Sequence, residues 1–223
     1  MNRGWFVTGT DTGVGKTRVA CALISTLAQA GQRVAGMKPV ASGAHATAAG
    51  PRHVDAEALA RVANVTAAYE DVNPYCFLPA IAPHLAAGAA GVEMRLQTIL
   101  DAYARLRGRA EVVVVEGAGG WRVPLGAAGF MSDVARALAL PVLLVVGVRL
   151  GCLNHAALTA EAIRRDGVPL AGWIANRIDP GMPHFEDNVV ALARLLGAEP
   201  LAVFPHEASG NVPAWSGRIP PQK

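Results

Sequence analysis

The sequence predicts an α/β fold with a mostly parallel β-sheet flanked by helices on both faces. Short apolar runs rich in β-branched residues recur along the chain and end in glycine or a polar residue, which is typical of buried parallel strands. Between several of these runs, apolar residues recur at three- and four-residue spacing, which indicates helices. The alternation of strand and helix patterns therefore favours the α/β class.

The predicted strands are the runs "WFVTG", "RVAGMKP", "EVVVVEG", "PVLLVVG", "LAGWIANR" and "PLAVFP". Helices are predicted over residues 16–30, 92–107, 153–165 and 184–196. Residues 41–55 are small, polar and aperiodic, and we interpret them as a mobile loop that leads into a helix from about Asp55. The proline-containing segment "NPYCFLPAIAPHLAAGAAG" is interpreted as a second irregular stretch. Without an internal repeat or a separate linker, residues 1–223 are expected to form one domain.

The cysteines and the N-terminus indicate the cellular compartment. Cys21, Cys76 and Cys152 form no C-x-x-C pair and have no accompanying histidine cluster, so neither a disulfide framework nor a zinc site is expected. The N-terminus lacks the basic and then apolar pattern of a signal peptide. A protein of the reducing cytoplasm is therefore predicted.

Charge and hydropathy argue against two classes of partner. The net charge of +3 is spread along the chain and only 5% of residues are aromatic, which gives nucleic-acid binding little support. The longest uncharged apolar run, residues 137–148, contains Pro141 and is too short to span a bilayer. We therefore expect neither a nucleic-acid nor a membrane partner.

The stretch "TGTDTGVGKT" resembles the phosphate-binding pattern G-x-x-x-x-G-K-[ST], except that five residues separate Gly9 from Gly15. It follows a predicted strand and precedes a predicted helix, as a phosphate loop requires, which predicts a P-loop NTPase-like fold with a deviant loop. Glycines let backbone N–H groups turn toward phosphate oxygens, and the helix N-terminus adds partial positive charge. Lys16 would contact the β- and γ-phosphates, and Thr17 would bind Mg²⁺. The alternative is a glycine-rich turn that begins an ordinary helix.

Two carboxylates are candidate ligands for that magnesium ion. Glu116 follows four valines at the carboxyl end of a predicted buried strand, where ligands of open α/β sheets bind. A carboxylate at such a place is costly unless it is paired or bound to metal. Asp55 begins the helix after the predicted loop, and from the residues alone a metal ligand and a simple N-cap are equally good interpretations.

Lys38 and Asn176 also lie at the ends of predicted strands. The chain has 17 arginines but only two internal lysines, Lys16 and Lys38, so a compact ammonium near a transferring phosphoryl group is a reasonable role for Lys38. The alternative is an ordinary surface lysine. Asn176 opens an N-R-x-D order similar to the guanine-reading N-K-x-D pattern, although one asparagine amide can bind either adenine or guanine.

These residues together resemble the dethiobiotin synthetases, ATP-dependent enzymes of biotin biosynthesis. The motifs that carry the resemblance occur in family order over most of the chain: "FVTGTDTGVGKT", "GMKPVASG", "VNPYCFLPAIAPHLAA", "VVVVEGAGGWRVPL", "LPVLLVVGVRLGCLNHAALT" and "LAGWIANR". The widened spacing of the phosphate loop is itself part of the family pattern. The resemblance implies that 7,8-diaminononanoate and CO₂ form a carbamate, that ATP phosphorylates it, and that the second amine then closes the ureido ring.

The resemblance also assigns roles to residues. It implies catalytic roles for Lys38, Lys16 and Thr12, and a Mg²⁺ site at Thr17, Asp55 and Glu116. The implied ATP contacts are Gly13, Val14, Gly15, Lys16, Thr17, Arg18, Asp55, Glu116, Gly117, Ala118, Gly119, Asn176, Arg177, Pro205, His206 and Glu207. Asn176 would read adenine, and Pro205 to Glu207 would border the base largely through their backbone. Ser42 would contact the carbamate or the diamine end of the substrate.

The family binds the distant carboxylate of its substrate across a dimer interface. This implies a homodimer in which Gly151, Cys152, Leu153 and Asn154 of one chain complete the site of the other, with N–H groups at a helix start facing the carboxylate. The chain departs from the family at Gly13, where some relatives carry a glutamate, and after about residue 206, where the match is weak.

Two other nucleotide-using classes fit the sequence less well. A ParA- or MinD-like switch ATPase shares the fold type, but its signature lysine would stand at the position of Asp11. An ATP-dependent amidoligase such as a cobyric acid synthase carries an additional glutamine amidotransferase region, for which 223 residues leave no room.

Overall fold

The structure is a computed structural model that describes residues 3–206, 215 and 217–219. Its strands are β1 (Gly4–Gly9), β2 (Val34–Met37), β3 (Val40–Ser42), β4 (His45–Thr47), β5 (Gly50–Arg52), β6 (Tyr75–Phe77), β7 (Val112–Glu116), β8 (Val142–Gly147), β9 (Leu170–Asn176) and β10 (Ala202–Phe204). Its helices are α1 (Lys16–Gln29), α2 (Val54–Val62), α3 (Tyr69–Val72), α4 (Pro83–Ala89), α5 (Leu96–Arg107), α6 (Met131–Leu138), α7 (Cys152–Arg165) and α8 (Phe185–Leu196).

Six strands form one parallel sheet in the order β10-β9-β8-β1-β7-β2. Side chains alternate between its two faces: Phe6 points into the core under α5 to α8, while Trp5 and Val7 point into the core under α1 and α2. Because both faces are covered, the central strands are apolar throughout rather than alternating with polar residues. The predicted parallel sheet with helices on both faces is confirmed.

The two stretches interpreted as irregular contain regular elements. Residues 41–55 include the end of β3, an antiparallel hairpin of β4 with β5, and the start of α2. The hairpin turn is closed by the Thr47 hydroxyl, which donates to the carbonyl of Gly50 at 2.7 Å. The prediction of an aperiodic loop was wrong because β4 is exposed along its whole length, so its residues carry no hydrophobic alternation.

The second stretch contains β6, which pairs with β3, and α4, whose first residue is Pro83. Proline is well suited to the first turn of a helix, where its missing N–H has no partner to lose. Among the described residues, no helix is long and apolar enough to cross a membrane.

The carboxyl ends of the parallel strands bring distant parts of the sequence together. Gly9 ends β1, Lys38 directly follows β2, Glu116 ends β7 and Asn176 ends β9. Because parallel strands share one direction, these four residues lie at the same edge of the sheet, where open α/β sheets bind their ligands.

Candidate active site

The loop between β1 and α1 has the backbone geometry of a phosphate cradle. Gly13 and Gly15 adopt φ values of +74° and +93°, which favour glycine. A side chain at Gly15 would also collide with the amide nitrogen of Asn176, so glycine at this position lets the loop pass close to the end of β9. Lys16 is the first residue of α1, and its Nζ donates to the carbonyl of Asp11 at 2.8 Å.

Asp11 braces the widened part of this loop. Its Oδ1 accepts the N–H of Thr12 at 2.7 Å, and its Oδ2 pairs with the guanidinium of Arg149 at 2.6 Å. Arg149 lies after β8, just before the segment that leads into α7. The widened loop is therefore held in place by the Asp11 carboxylate, which contacts the loop backbone and Arg149 after β8.

Lys38 lies between the two candidate metal carboxylates. Its Nζ is 2.9 Å from Oδ2 of Asp55 and 2.7 Å from Oε1 of Glu116, and it also donates to the carbonyl of Gly117 at 3.2 Å. The Thr17 hydroxyl donates to the same Oε1 atom at 2.8 Å. Lys38 and Glu116 are 3% and 0% exposed, so this is a buried cluster of charges rather than a surface ion pair.

The environment moves the pKa values of the two lysines in opposite directions. Burial by itself disfavours the charge of Lys38, but Glu116 and Asp55 outweigh it and raise the pKa of that ammonium above its ordinary value. Lys38 in turn outweighs the effect of burial on Asp55 and lowers the pKa of its carboxyl. For Lys16, burial and the nearby charge of Lys38 lower the pKa to about 8. Lys16 is thus the cation of the site whose charge depends on pH near neutrality.

The residues at this cluster fit a magnesium ion. Glu116 keeps one buried oxygen, Oε2, without a hydrogen-bond partner in the described part of the chain. Within the described residues, no group of three His, Cys, Asp or Glu side chains forms a complete cage. Magnesium commonly uses one or two carboxylates with phosphate oxygens and water, so Asp55, Glu116 and the hydroxyl of Thr17 are a suitable donor set.

A cleft of about 750 Å³ opens over the cluster. The predicted residues Thr12, Lys16, Thr17, Lys38, Ser42, Asp55 and Glu116 all line it, as do Gly13, Gly15, Ala118 and Gly119. Apolar residues also line it, among them Ala80, Ile81 and Val123. The cleft therefore combines charged groups with apolar surface that suits an aliphatic chain.

Of the residues predicted to contact the base, Asn176 ends β9, whereas Pro205 and His206 follow β10. Both ends of the Asn176 amide are engaged: Nδ2 donates to the carbonyl of Val14 at 2.8 Å, and Oδ1 accepts from Arg18 at 3.1 Å. Arg18 also donates to the carbonyl of Pro205 at 2.7 Å. Asn176 thus ties the phosphate loop to the sheet in addition to any contact with a base. Arg177 lies over the ring of Phe185, His206 is exposed, and Glu207 lies outside the described residues.

The segment predicted to bind the distant carboxylate stands apart from this cleft. Gly151, Leu153 and Asn154 are exposed, whereas Cys152 is buried at the first position of α7. None of the four lines the cleft of the same chain.

His53 was missed by the sequence reasoning. It is the N-cap of α2, and its imidazole accepts the N–H of Asp55 at 3.1 Å. Asp55 is therefore not the cap, and its carboxylate is directed to Lys38 instead. Histidine is outside the usual set of N-cap residues, so the pattern before the helix gave no signal.

Comparison with known proteins identifies relatives over most of the chain. A family model described as an AAA domain matches residues 3–213. Proteins named ATP-dependent dethiobiotin synthetase BioD are similar to this chain: one from Nitrosospira multiformis is 51% identical, covering 93% of this chain and 90% of its own length. One from Pseudomonas paraeruginosa is 52% identical, with coverages of 96% and 95%. These relatives confirm the resemblance that the motifs indicated.

Solved structures with a similar fold are more distant. A ParA family ATPase from Chlorobium tepidum has a TM-score of 0.58 at 14% identity and covers 93% of this chain and 85% of that chain. The septum site-determining protein MinD from Pyrococcus horikoshii, complexed with Mg-ADP, also has a TM-score of 0.58, at 17% identity, with coverages of 93% and 82%. At such identities these structures support the P-loop NTPase-like fold and nothing finer.

Proposed function

Because the chain belongs to the ATP-dependent dethiobiotin synthetase family, we propose that it closes the ureido ring of dethiobiotin from 7,8-diaminononanoate and CO₂. One amine of the diamine first takes up CO₂ as a carbamate. A carbamate oxygen then attacks the γ-phosphorus of ATP, the bond to the β-phosphate oxygen breaks, and ADP leaves. The second amine attacks the resulting carbonyl, loses its proton and displaces phosphate, which closes the ring.

The observation that supports this chemistry most is the buried cluster of Lys38, Asp55 and Glu116 beside the phosphate loop. The ammonium of Lys38 is preorganised at the edge of the cleft, where negative charge develops on the carbamate and the transferring phosphoryl group. Lys16 would neutralise the β- and γ-phosphates, and Thr12 would act from the exposed rim of the loop. Mg²⁺ held by Thr17, Asp55 and Glu116 would neutralise charge on the phosphate oxygens.

The rest of the cleft would place the substrate. Ser42 would contact the carbamate end, and the small apolar residues Ala80 and Ile81 would border the aliphatic chain. In a homodimer, Gly151, Cys152, Leu153 and Asn154 of a second copy would receive the distant carboxylate at the start of its α7, where the helix N-terminus favours an anion. The exposure of most of this segment is compatible with that arrangement.

ATP would be held by the glycine-rich backbone of residues 13–15 and 117–119 around its phosphates. The base would lie near Asn176 and Arg177, with Pro205, His206 and Glu207 at its border. We propose adenine as the base and the cytoplasm as the compartment. Rates with ATP, GTP and CTP at one low concentration would test the choice of base, and equal rates would remove Asn176 as its reader.

The decisive experiment is an assay of the purified protein for dethiobiotin and ADP. We expect both products only when diamine, bicarbonate, ATP and Mg²⁺ are all supplied. Brisk ATP hydrolysis without diamine, or stimulation by DNA, would instead favour a switch ATPase like the fold neighbours. That alternative is weakened by Asp11, since it pairs with Arg149 at the position where switch ATPases carry a cationic signature residue.

A further inference from the structure

The side chain of His53 connects the two walls of the cleft. Its Nδ1 accepts the N–H of Asp55 at 3.1 Å, so the proton of the neutral ring is on Nε2, which donates to the carbonyl of Ser42 at 3.2 Å. One side of the ring therefore holds the start of α2, which carries Asp55, and the other side holds the end of β3.

Tyr69 continues this connection from the backbone of His53. The Tyr69 hydroxyl accepts the N–H of His53 at 2.8 Å and donates to Oδ1 of Asn73 at 3.1 Å. The guanidinium of Arg52 lies 3.9 Å from the centre of the Tyr69 ring, which keeps the ring in place by a cation–π contact. Tyr69 is therefore fixed both at its ring and at its hydroxyl.

Asn73 carries the connection to Lys38. It is buried, and its Nδ2 donates to the carbonyl of Lys38 at 2.6 Å and to that of Tyr75 at 3.0 Å. The N–H of Lys38 donates in addition to the carbonyl of Val72 at 2.7 Å. The backbone of Lys38 is thus held on both sides by the segment around α3.

We propose that His53, Tyr69 and Asn73, here called the positioning chain, set the placement of Asp55 relative to Lys38 for the phosphoryl transfer. These hydrogen bonds connect Asp55 to the backbone of Lys38. The 2.9 Å contact between the Lys38 and Asp55 side chains makes the set of contacts continuous. All three are positioning residues, and the proposal rests on the proposed function. A misplacement of about 1 Å at such a site can cost about a hundredfold in rate.

The test compares two tyrosines. Tyr69→Phe keeps the ring under Arg52 but removes the contacts of the hydroxyl with His53, Asn73 and the Cys76 thiol. We expect kcat to fall about tenfold while the KM for ATP changes less than about twofold. Tyr103→Phe is the matched control, because the Tyr103 hydroxyl is buried without a hydrogen-bond partner among the described residues. It should keep the wild-type kcat. Equal rates for wild type and Tyr69→Phe, or an equal loss in both variants, would overturn the proposal.

A binding measurement separates this proposal from the proposed function. Titration of Mn²⁺ in the presence of a non-hydrolysable ATP analogue, followed by electron paramagnetic resonance, reports the placement of Asp55 without any turnover. We expect Tyr69→Phe to weaken Mn²⁺ binding about tenfold, with Tyr103→Phe at the wild-type value. If wild type makes no dethiobiotin but Tyr69→Phe still weakens Mn²⁺, the ligase reaction fails while the positioning chain stands.

A second variant covers the case in which Tyr69→Phe does not fold. His53→Asn supplies a strong N-cap for α2, whereas His53→Ala supplies none. We expect the asparagine variant to recover most of the Mn²⁺ affinity that the alanine variant loses. Equal affinities for His53→Ala and wild type would contradict a positioning role for His53.

Discussion

The charged cluster around Lys38 and the segment from Leu150 to Asn154 are built in opposite ways. Each side chain of the cluster has at least one charged or hydrogen-bonded partner from a different element of the same chain, and Glu116 is fully buried. In the segment, Leu150 is 94% exposed, and only Cys152 is buried. The cluster is complete within one chain, whereas the segment presents an apolar side chain and backbone groups outward.

The difference follows from the cost of burying charge. A buried ammonium or carboxylate needs partners at fixed distances, and a single folded chain can provide them because strand ends are rigid. A short segment at a helix start needs no such cage, because the first N–H groups of a helix have no partner within the helix and the helix N-terminus favours an anion. Single substitutions in the charged cluster should therefore change activity strongly. Substitutions in the exposed segment should change activity only if another molecule packs against it.

The largest effect is expected for Lys38→Met. Methionine keeps much of the side-chain volume but removes the charge, which in the proposed mechanism stabilises the phosphoryl group, so kcat should fall about a thousandfold. Binding of a non-hydrolysable ATP analogue, measured by calorimetry, should change only a few-fold, since Lys16 and the loop remain. An unchanged kcat would remove Lys38 from the mechanism.

A smaller effect is expected for Asp55→Asn. The amide keeps the shape of the side chain but replaces one of two carboxylates, so the Mg²⁺ concentration for half-maximal turnover should rise at least about tenfold. Asp101→Asn is a suitable control, because Asp101 is exposed and its carboxylate accepts a hydrogen bond from Gln97 on the same helix, and neither residue lines the cleft. The same Mg²⁺ dependence in Asp55→Asn and wild type would show that the ion lies elsewhere.

Raising the pH should weaken ATP binding to the free protein. Lys16 has its pKa lowered to about 8, so it loses its charge as the pH rises through that value. The equilibrium affinity for an ATP analogue should therefore decrease between about pH 8 and 10. In Lys16→Arg the decrease should be absent, because a guanidinium stays charged.

The same group makes a prediction for stability with a definite sign. Its pKa of about 8 in the folded protein is below the ordinary lysine value of 10.5, so between these values the unfolded chain binds more protons than the folded one. The contribution of Lys16 to the free energy of unfolding therefore rises with pH across this window. Urea unfolding of wild type and Lys16→Met at pH 8 and pH 10 measures the difference, and an opposite slope would contradict the lowered pKa.

The smallest effect is expected for Leu150→Ser. Because Leu150 is almost fully exposed, its loss should leave the melting temperature within about 2 °C of wild type. If a second copy covers this segment, the variant should raise the KM for the diamine and weaken self-association in sedimentation experiments. Val190→Ser, an exposed apolar position on α8, serves as the control. If neither the KM for the diamine nor self-association changes, the segment does not contribute to the substrate site.

The sequence predicted the parallel sheet and the placement of Lys38 and Glu116 at one edge of it, because both depend on local signals. Buried strands are continuous apolar runs, and the residues that follow them face one edge, so Lys38 and Glu116 could be placed from their positions alone. The hairpin of β4 and β5 was missed because its exposed residues have no periodic pattern. His53, Tyr69 and Asn73 gave no signal, since each acts through a partner that is distant in sequence or through its backbone.

Asp55 and Asn176 illustrate the remaining gap. From the residues alone, Asp55 was equally a helix cap or a metal ligand, and only the hydrogen bond from its backbone to His53 assigned the cap to another residue. Asn176 looked like a reader of the base, whereas the fold also uses its amide to hold Val14 and Arg18.

The amino-acid sequence by itself determined the α/β class, the deviant phosphate loop and the family, because periodicity, glycine placement and motif order are properties of the chain alone. Only the tertiary structure decided which atoms meet: that Lys38 lies between Asp55 and Glu116, that Asp11 pairs with Arg149, and that His53 caps α2. The physical reason is that burial and hydrogen bonding between distant segments arise only when the strands pack side by side, and these contacts set charge and orientation.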